Sequence, residues 1–235
     1  YTRPEVQQVA DFVGDSLQLA RAAQGTDADI ILFAGVHFMG ETAKVLSPDK
    51  KVLIPDPEAG CSLADSCPAD DFARFIEAHP GHTVVSYVNT SVAVKALTDI
   101  VCTSSNALQV VSSIPESTPV IFGPDRNLGS YIKSMTGRKN MVIWDGACHV
   151  HERFSLEAIL RLKSEHPGAR VLVHPECKQQ IVLIADHVGS TAALLDYARK
   201  SDADEFIVVT EPGIIFKMQE ACPDKRFIPA PPTDS

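Results

Sequence analysis

The sequence predicts an α/β protein of three homologous parallel-sheet domains, related by pseudo-threefold symmetry around a central active site. Three observations carry that expectation: short unbroken β-branched runs, helix-length segments between them, and an internal repeat of about 87 residues. An unbroken apolar strand is one buried on both faces, which is how parallel sheets covered by crossover helices are built.

In chain order the strand runs are IILFAG at 30–35, KVLIP at 51–55, TVVSYVN at 83–89, DIVCT at 99–103 and PVIFG at 119–123. MVIWDG at 141–146, RVLVHPE at 170–176, EFIVVT at 205–210 and RFIPA at 226–230 complete the set. Between them SLQLARAAQ at 16–24, FARFIEAH at 72–79, NALQVVSSI at 106–114, FSLEAILRLKSEH at 154–166 and AALLDYARK at 192–200 place apolar residues at three- and four-residue steps, the helical period. Several of these follow Ser or Thr directly, residue types that cap first-turn amides.

The repeat shows in three registers. DFVGDS at 11–16, DIVCTS at 99–104 and DHVGST at 186–191 each read as a strand running into a hydroxyl and then a helix, 88 and 87 residues apart. HPGHTV at 79–84 and HPGARV at 166–171 recur after 87, and PDKKVLIP at 48–55 and PDKRFIP at 223–229 recur after 175, two periods. One period serves all three, so the repeating unit is four strands with their helices. The expected domains are 1–81, without its opening strand, 82–168, and 169–235, which stops where its last strand ends. Ligands of open α/β sheets bind at the carboxyl ends of the strands, and domain interfaces favour pockets.

Composition narrows the function. A chain of 235 residues with 45% hydrophobic content builds a proper core and is neither disordered nor fibrous. The net charge of −9, from 21 Lys and Arg against 30 Asp and Glu, leaves no basic excess for nucleic acid or an anionic membrane surface, so small molecules are the expected ligands. No apolar run approaches the roughly 18 residues of a membrane span, and the first residues show no secretory leader. Six Cys, at 61, 67, 102, 148, 177 and 222, are too sparse for a disulfide framework and suit free thiols or metal ligands in a reducing compartment.

Repeat symmetry selects among the chemically capable residues. Cys61 and Cys148 both follow the fourth strand of their unit, 87 residues apart, and one further period places a third Cys just beyond Ser235. Three thiolates on a threefold axis suit an iron–sulfur cluster with one open iron. Cys67, Cys102, Cys177 and Cys222 read as small buried hydrophobes. Ser16, Ser104 and Thr191 stand at helix N-termini, where amides favour carboxylate or phosphate, although a plain cap explains each one singly. Tyr87 and Asn89, and His174 and Glu176, share the end of the first strand in units two and three; His174 and Glu176 suit acid and base, and Tyr87 a hydrogen-bond donor.

The strings DFVGDSLQLAR at 11–21, GCSLAD at 60–65, YVN at 87–89, CTSSNA at 102–107, FGPDRNLG at 122–129, VHPEC at 173–177 and GST at 189–191 together resemble the quinolinate synthases of NAD biosynthesis, from the first residue to the last. The resemblance implies a pseudo-threefold fold around a 4Fe-4S cluster that condenses iminoaspartate with dihydroxyacetone phosphate to quinolinate, with loss of phosphate and two waters. It implies Cys61 and Cys148 as cluster ligands, the third expected beyond Ser235. Tyr1, Tyr87, His174 and Glu176 match family residues of proton transfer and positioning. Ser16, Asn89, Ser104, His151, Ser190 and Thr191 match residues that hold substrate carboxylate or phosphate. An aspartate-oxidising enzyme and iron–sulfur assembly factors are the implied partners, and the cytoplasm or a plastid stroma the implied compartment. Two other readings stand beside it: a zinc-dependent lyase or hydrolase using Cys148, His149 and His151, and a catalytically silent module that binds phosphorylated metabolites.

Overall fold

The computed structural model describes residues 2–232. Residues 4–147 and 148–232 form two compact units. In the first, the order is α1 (Pro4–Val9), α2 (Ser16–Gly25), β1 (Ile30–Leu32), α3 (His37–Leu46), β2 (Lys51–Leu53), α4 (Ser62–Asp65) and α5 (Ala69–Glu77). It continues through β3 (Thr83–Tyr87), α6 (Val92–Lys95), β4 (Ile100–Cys102), α7 (Ala107–Ser113), β5 (Val120–Gly123), α8 (Arg126–Thr136) and β6 (Met141–Ile143). The second holds α9 (His149–Glu152), α10 (Leu156–Glu165), β7 (Arg170–Val173), α11 (Gln179–Val182), β8 (His187–Val188), α12 (Thr191–Lys200), β9 (Glu205–Val209), α13 (Ile214–Ala221) and β10 (Arg226–Pro229).

The protein is α/β, and the strands pair only in parallel. The sheet of 83–143 has the order β4-β3-β5-β6, and that of 170–229 has β8-β7-β9-β10, the same arrangement of second, first, third and fourth strands. The central strands are the unbroken apolar runs of the sequence: Val84, Val85, Ile121 and Phe122 in one sheet, and Val171, Leu172, Ile207 and Val208 in the other, are at most 4% exposed. Helices cover both faces of the second of these sheets: Ile159 and Ile181 pack with Val171 and Ile207 on one side, Leu194 and Met218 with Leu172 and Val208 on the other.

The repeat extends to fine detail. The Asp99 carboxylate accepts a hydrogen bond from the Val84 amide at 2.8 Å, and Asp186 accepts one from Val171 at 2.8 Å, so in each unit the residue before the second strand braces the first. Gly40 and Gly129 stand in the first turns of α3 and α8, where an added methyl would meet Ile54 and Ile143 respectively. Both glycines therefore let a helix lie close on the strand beside it.

One expected strand is absent. Residues 11–15 carry the same signature as β4 and β8 but are irregular, because in the other two units the second strand pairs only with the first, and no described strand runs beside 12–14. The two-stranded sheet β1-β2 holds the later strands of that repeat. Helices α3, α8 and α13 are additions to the helices expected from the sequence.

Gly146 gives a direct test of packing between the end of β6 and α4. Trp144 Nε1 donates to the Ser66 carbonyl at 3.0 Å, and a methyl at Gly146 would run into Ser66 Oγ and the Pro124 carbonyl oxygen. Gly146→Ala is expected to cost about 1–3 kcal/mol in urea unfolding, the usual scale for overpacking. Gly25→Ala, which meets nothing within 4 Å, is expected to be neutral or slightly stabilising.

Candidate active site

Parallel pairing sets the strand ends level, and the candidate residues emerge there. In the first unit Tyr87 is paired in register with Cys102, so the Tyr87–Asn89 and Thr103–Ser104 segments leave adjacent strands at one edge of the sheet. Tyr87 is buried, and Asn89 Oδ1 is buried without a hydrogen-bond partner. An orphaned buried amide oxygen is costly in a folded chain and marks a position shaped for something other than its own neighbours.

The helix-end hydroxyls are corrected in detail. Asp15, not Ser16, caps α2, accepting from the Gln18 amide at 2.9 Å in a reciprocal capping box. Ser104 lies in a turn three residues before α7, with Asn106 at the cap position and its side-chain oxygen taking the Thr103 amide at 2.7 Å. In the second unit Ser190 caps α12 through the Ala193 amide at 3.3 Å, which leaves Thr191 as the first helical residue. The Asn106 carboxamide makes no hydrogen bond to the first-turn amides of α7; it reaches back and closes the Thr103–Asn106 turn, which holds Ser104 outside the helix.

Four expected residues meet in the second unit. Ligand atoms of Cys148, His151 and Glu176 lie within 4.8 Å of one another. His151 Nδ1 stands 3.3 Å from Glu176 Oε2, His174 Nδ1 is 3.5 Å from Oε1, and the two imidazoles stack at 4.9 Å between centroids. His151, His174 and Glu176 are each at most 2% exposed. β7 ends at Val173, so His174 and Glu176 share a side through the turn closed by Cys177 N–H donating to the His174 carbonyl, rather than by strand pleat. The Glu176 amide donates to His174 Nδ1 at 3.4 Å, which suits a neutral ring. Burial pushes the His174 pKa down to about 4, with neighbouring His151 adding to the fall and Glu176 opposing it.

Thr210 went unread in the sequence. Its hydroxyl, 1% exposed at the end of β9, lies 3.0 Å from His151 Nε2. The His151 ring thus stands between a hydroxyl that contacts Nε2 and a carboxylate 3.3 Å from Nδ1, and Nδ1 itself makes no hydrogen bond among the described residues; imidazole, hydroxyl and carboxylate are the groups that general acid–base chemistry uses. Its signal was its place: it directly follows a third strand, the same edge that supplies His174.

The thiols separate into two kinds. Cys61 and Cys148 are half-buried and hold the N-cap positions of four-residue helices, α4 and α9, at equivalent points of the repeat. Cys61 also lines a cavity of about 360 Å³ with His37, Phe38, Glu41 and Asp65. Burial pushes the Cys67 and Cys102 thiols up to about 12, Asp71 adding to the effect at Cys67, so both stay protonated. All six cysteines are free thiols. Two partly accessible thiols at matching positions have the donor chemistry a soft-metal cluster requires. His149, by contrast, is exposed and outside the Cys148 group. A depression of about 410 Å³ beside Lys163, Arg170 and Asp186 lies at the amino ends of the second unit's sheet; Asp186 is ion-paired to both cations there, away from these side chains. Tyr1 lies outside the described residues.

Parallel sheets with buried His and Glu side chains and half-buried thiols beyond their strands have the form of an α/β enzyme. The family model described as Quinolinate synthetase A protein matches residues 1–235, and the chain belongs to that family. It is 59% identical to the quinolinate synthase of Nostoc punctiforme and 58% identical to that of Trichormus variabilis, in each case over 100% of this chain and 72% of the relative. The quinolinate synthase of Prochlorococcus marinus is 54% identical over 100% of this chain and 70% of its own. Among the described residues no helix is long and apolar enough to cross a membrane.

The His174 environment has a measurable consequence. The unfolded chain takes up a proton at this ring below its ordinary value of 6.5, whereas the folded ring resists until about 4. Stability is therefore expected to fall as pH drops from about 6.5 toward 4. Thermal unfolding between pH 7 and 4.5 should show a shallower loss in His174→Gln than in the parent.

Proposed function

We propose that the protein forms quinolinate from iminoaspartate and dihydroxyacetone phosphate, releasing phosphate and two waters, with Cys61 and Cys148 as ligands of a 4Fe-4S cluster. The observation that carries the reading is the buried Thr210–His151–Glu176 line beside Cys148, within a chain of this family. When bound, the cluster supplies a Lewis-acidic iron with an open position. The third thiolate is the Cys expected beyond Ser235.

Closing a pyridine ring from an imine and a triose phosphate requires protons to leave carbon and to reach departing hydroxyls. Glu176 and His151 take and return them, Thr210 orients His151, and neutral His174 accepts from the Glu176 amide and packs its ring on that of His151. Tyr1 and Tyr87 donate to oxygen. Ser16, Asn89, Ser104, Ser190 and Thr191 hold carboxylate and phosphate, and the orphaned Asn89 Oδ1 gains a partner from a bound donor group. An aspartate-oxidising enzyme supplies the imine, iron–sulfur assembly factors supply the cluster, and the setting is the cytoplasm or a plastid stroma. The three repeats, 1–81, 82–168 and 169–235, are proposed as the domains, supported by the shared sheet order.

The Cys148–His151–Glu176 group also favours a second reading, a single zinc ion held by sulfur, nitrogen and carboxylate oxygen, with Glu176 in place of the expected His149. Metal analysis of the anaerobically isolated protein decides between them: iron with acid-labile sulfide supports the cluster, and stoichiometric zinc without sulfide supports the alternative.

Cys61→Ser and Cys148→Ser are expected to lose iron, sulfide and turnover, while Cys222→Ser keeps all three; parental iron and sulfide in either ligand variant would contradict the assignment. Glu176→Gln is expected to retain the cluster while turnover falls roughly 100-fold or more, the scale for loss of a general acid or base. A steady-state rate within about threefold of the parent would remove Glu176 from the chemistry.

A further inference from the structure

We propose that Lys95 is a positioning residue that clamps the Tyr87–Thr90 turn and thereby fixes Asn89 for substrate; the inference rests on reading Asn89 as a site residue. Lys95 ends α6 and is half-buried. Its ammonium donates to the Val88 carbonyl at 2.9 Å and to the Thr90 carbonyl, and lies 5.4 Å from the centre of the Phe38 ring. Glu41, on the same helix as Phe38, accepts from the Val92 amide at the start of α6 at 2.9 Å and attracts the ammonium. Burial nevertheless pushes the Lys95 pKa down to about 8.

The remaining backbone groups of the turn are satisfied locally. Val88 N–H donates to the Cys102 carbonyl, Thr90 N–H to the Val88 carbonyl, and the Thr90 hydroxyl to the Tyr87 carbonyl. Asn89 Oδ1 is the buried, unpartnered side-chain oxygen of this turn. A polar atom in that condition gains if the backbone relaxes and turns it toward water, and a turn with two carbonyls anchored to one ammonium cannot relax freely.

The repeat shows that the fold itself does not require this lysine. One period on, the four-residue helix α11 ends in Val182, and there the turn is held by Cys177, whose amide donates to the His174 carbonyl and whose thiol donates to the Val209 carbonyl. Of these two turns, the one that presents Asn89 is the one held by an amine.

The test is a double-mutant cycle of Lys95→Met and Asn89→Ala in the cluster-replete protein, reading kcat and KM for both substrates, iron content and thermal midpoint. Lys95→Met keeps the apolar stem over Phe38 and is expected to lower kcat/KM about tenfold, chiefly through KM, with iron content unchanged. In the Asn89→Ala background the same change is expected to alter kcat/KM less than about twofold, because coupled residues are non-additive. Lys95→Gln, which retains one donor group, is expected to fall between parent and Lys95→Met and serves if the latter does not fold. A lowered thermal midpoint with parental kcat/KM, or effects that multiply independently, would overturn the proposal while leaving Asn89 in the site. Parental kcat/KM in Asn89→Ala would overturn the reading of Asn89 itself, and the clamp with it.

Discussion

Parallel strand pairing is the constraint on which the rest depends. With the strands of each sheet running the same way, each sheet gathers its strand ends at one edge, and residues far apart in sequence become neighbours there. Val173 pairs with Val188 and with Val209, so the segments beginning at His174, Gly189 and Thr210 leave the sheet side by side. The apolar interiors of those strands do not vary in kind between the units, whereas the first residues beyond them do. The division is physical: the ladder fixes backbone position, and the loops that follow are free to carry polar chemistry.

That chemistry is placed at a thermodynamic cost. Glu176, His151 and His174 are buried together, and His174 is held neutral by its surroundings. His151, stacked on that neutral ring, faces the carboxylate with one nitrogen and the Thr210 hydroxyl with the other. The same logic applies at Asn89, where a buried oxygen lacks a partner and an ammonium behind the turn keeps it in place. Such sites lower stability locally and persist because the sheets around them are tightly packed.

Much of this architecture was legible in the sequence. Unbroken runs such as VVSYV and FIVV announced buried parallel strands, and the 87-residue period related Cys61 to Cys148 and Tyr87 to His174 through spacing alone. What escaped has physical reasons. The strand expected at 11–15 needs a pairing partner, which no local pattern reveals. Ser104 looked like a cap because hydroxyls usually serve, yet Asn106 closes a tighter turn. Thr210 and Lys95 act through contacts 59 residues away and through backbone carbonyls respectively, and neither kind of contact leaves a spacing to read.

The conversion proposed for this protein joins a four-carbon imine and a triose phosphate into one aromatic product. Quinolinate and inorganic phosphate should be counted together in single reactions of the anaerobically reconstituted full-length protein with freshly generated iminoaspartate and dihydroxyacetone phosphate. The two are expected to appear in equal amounts and at equal rates. Phosphate without quinolinate, or neither product from protein whose cluster is complete, would contradict it.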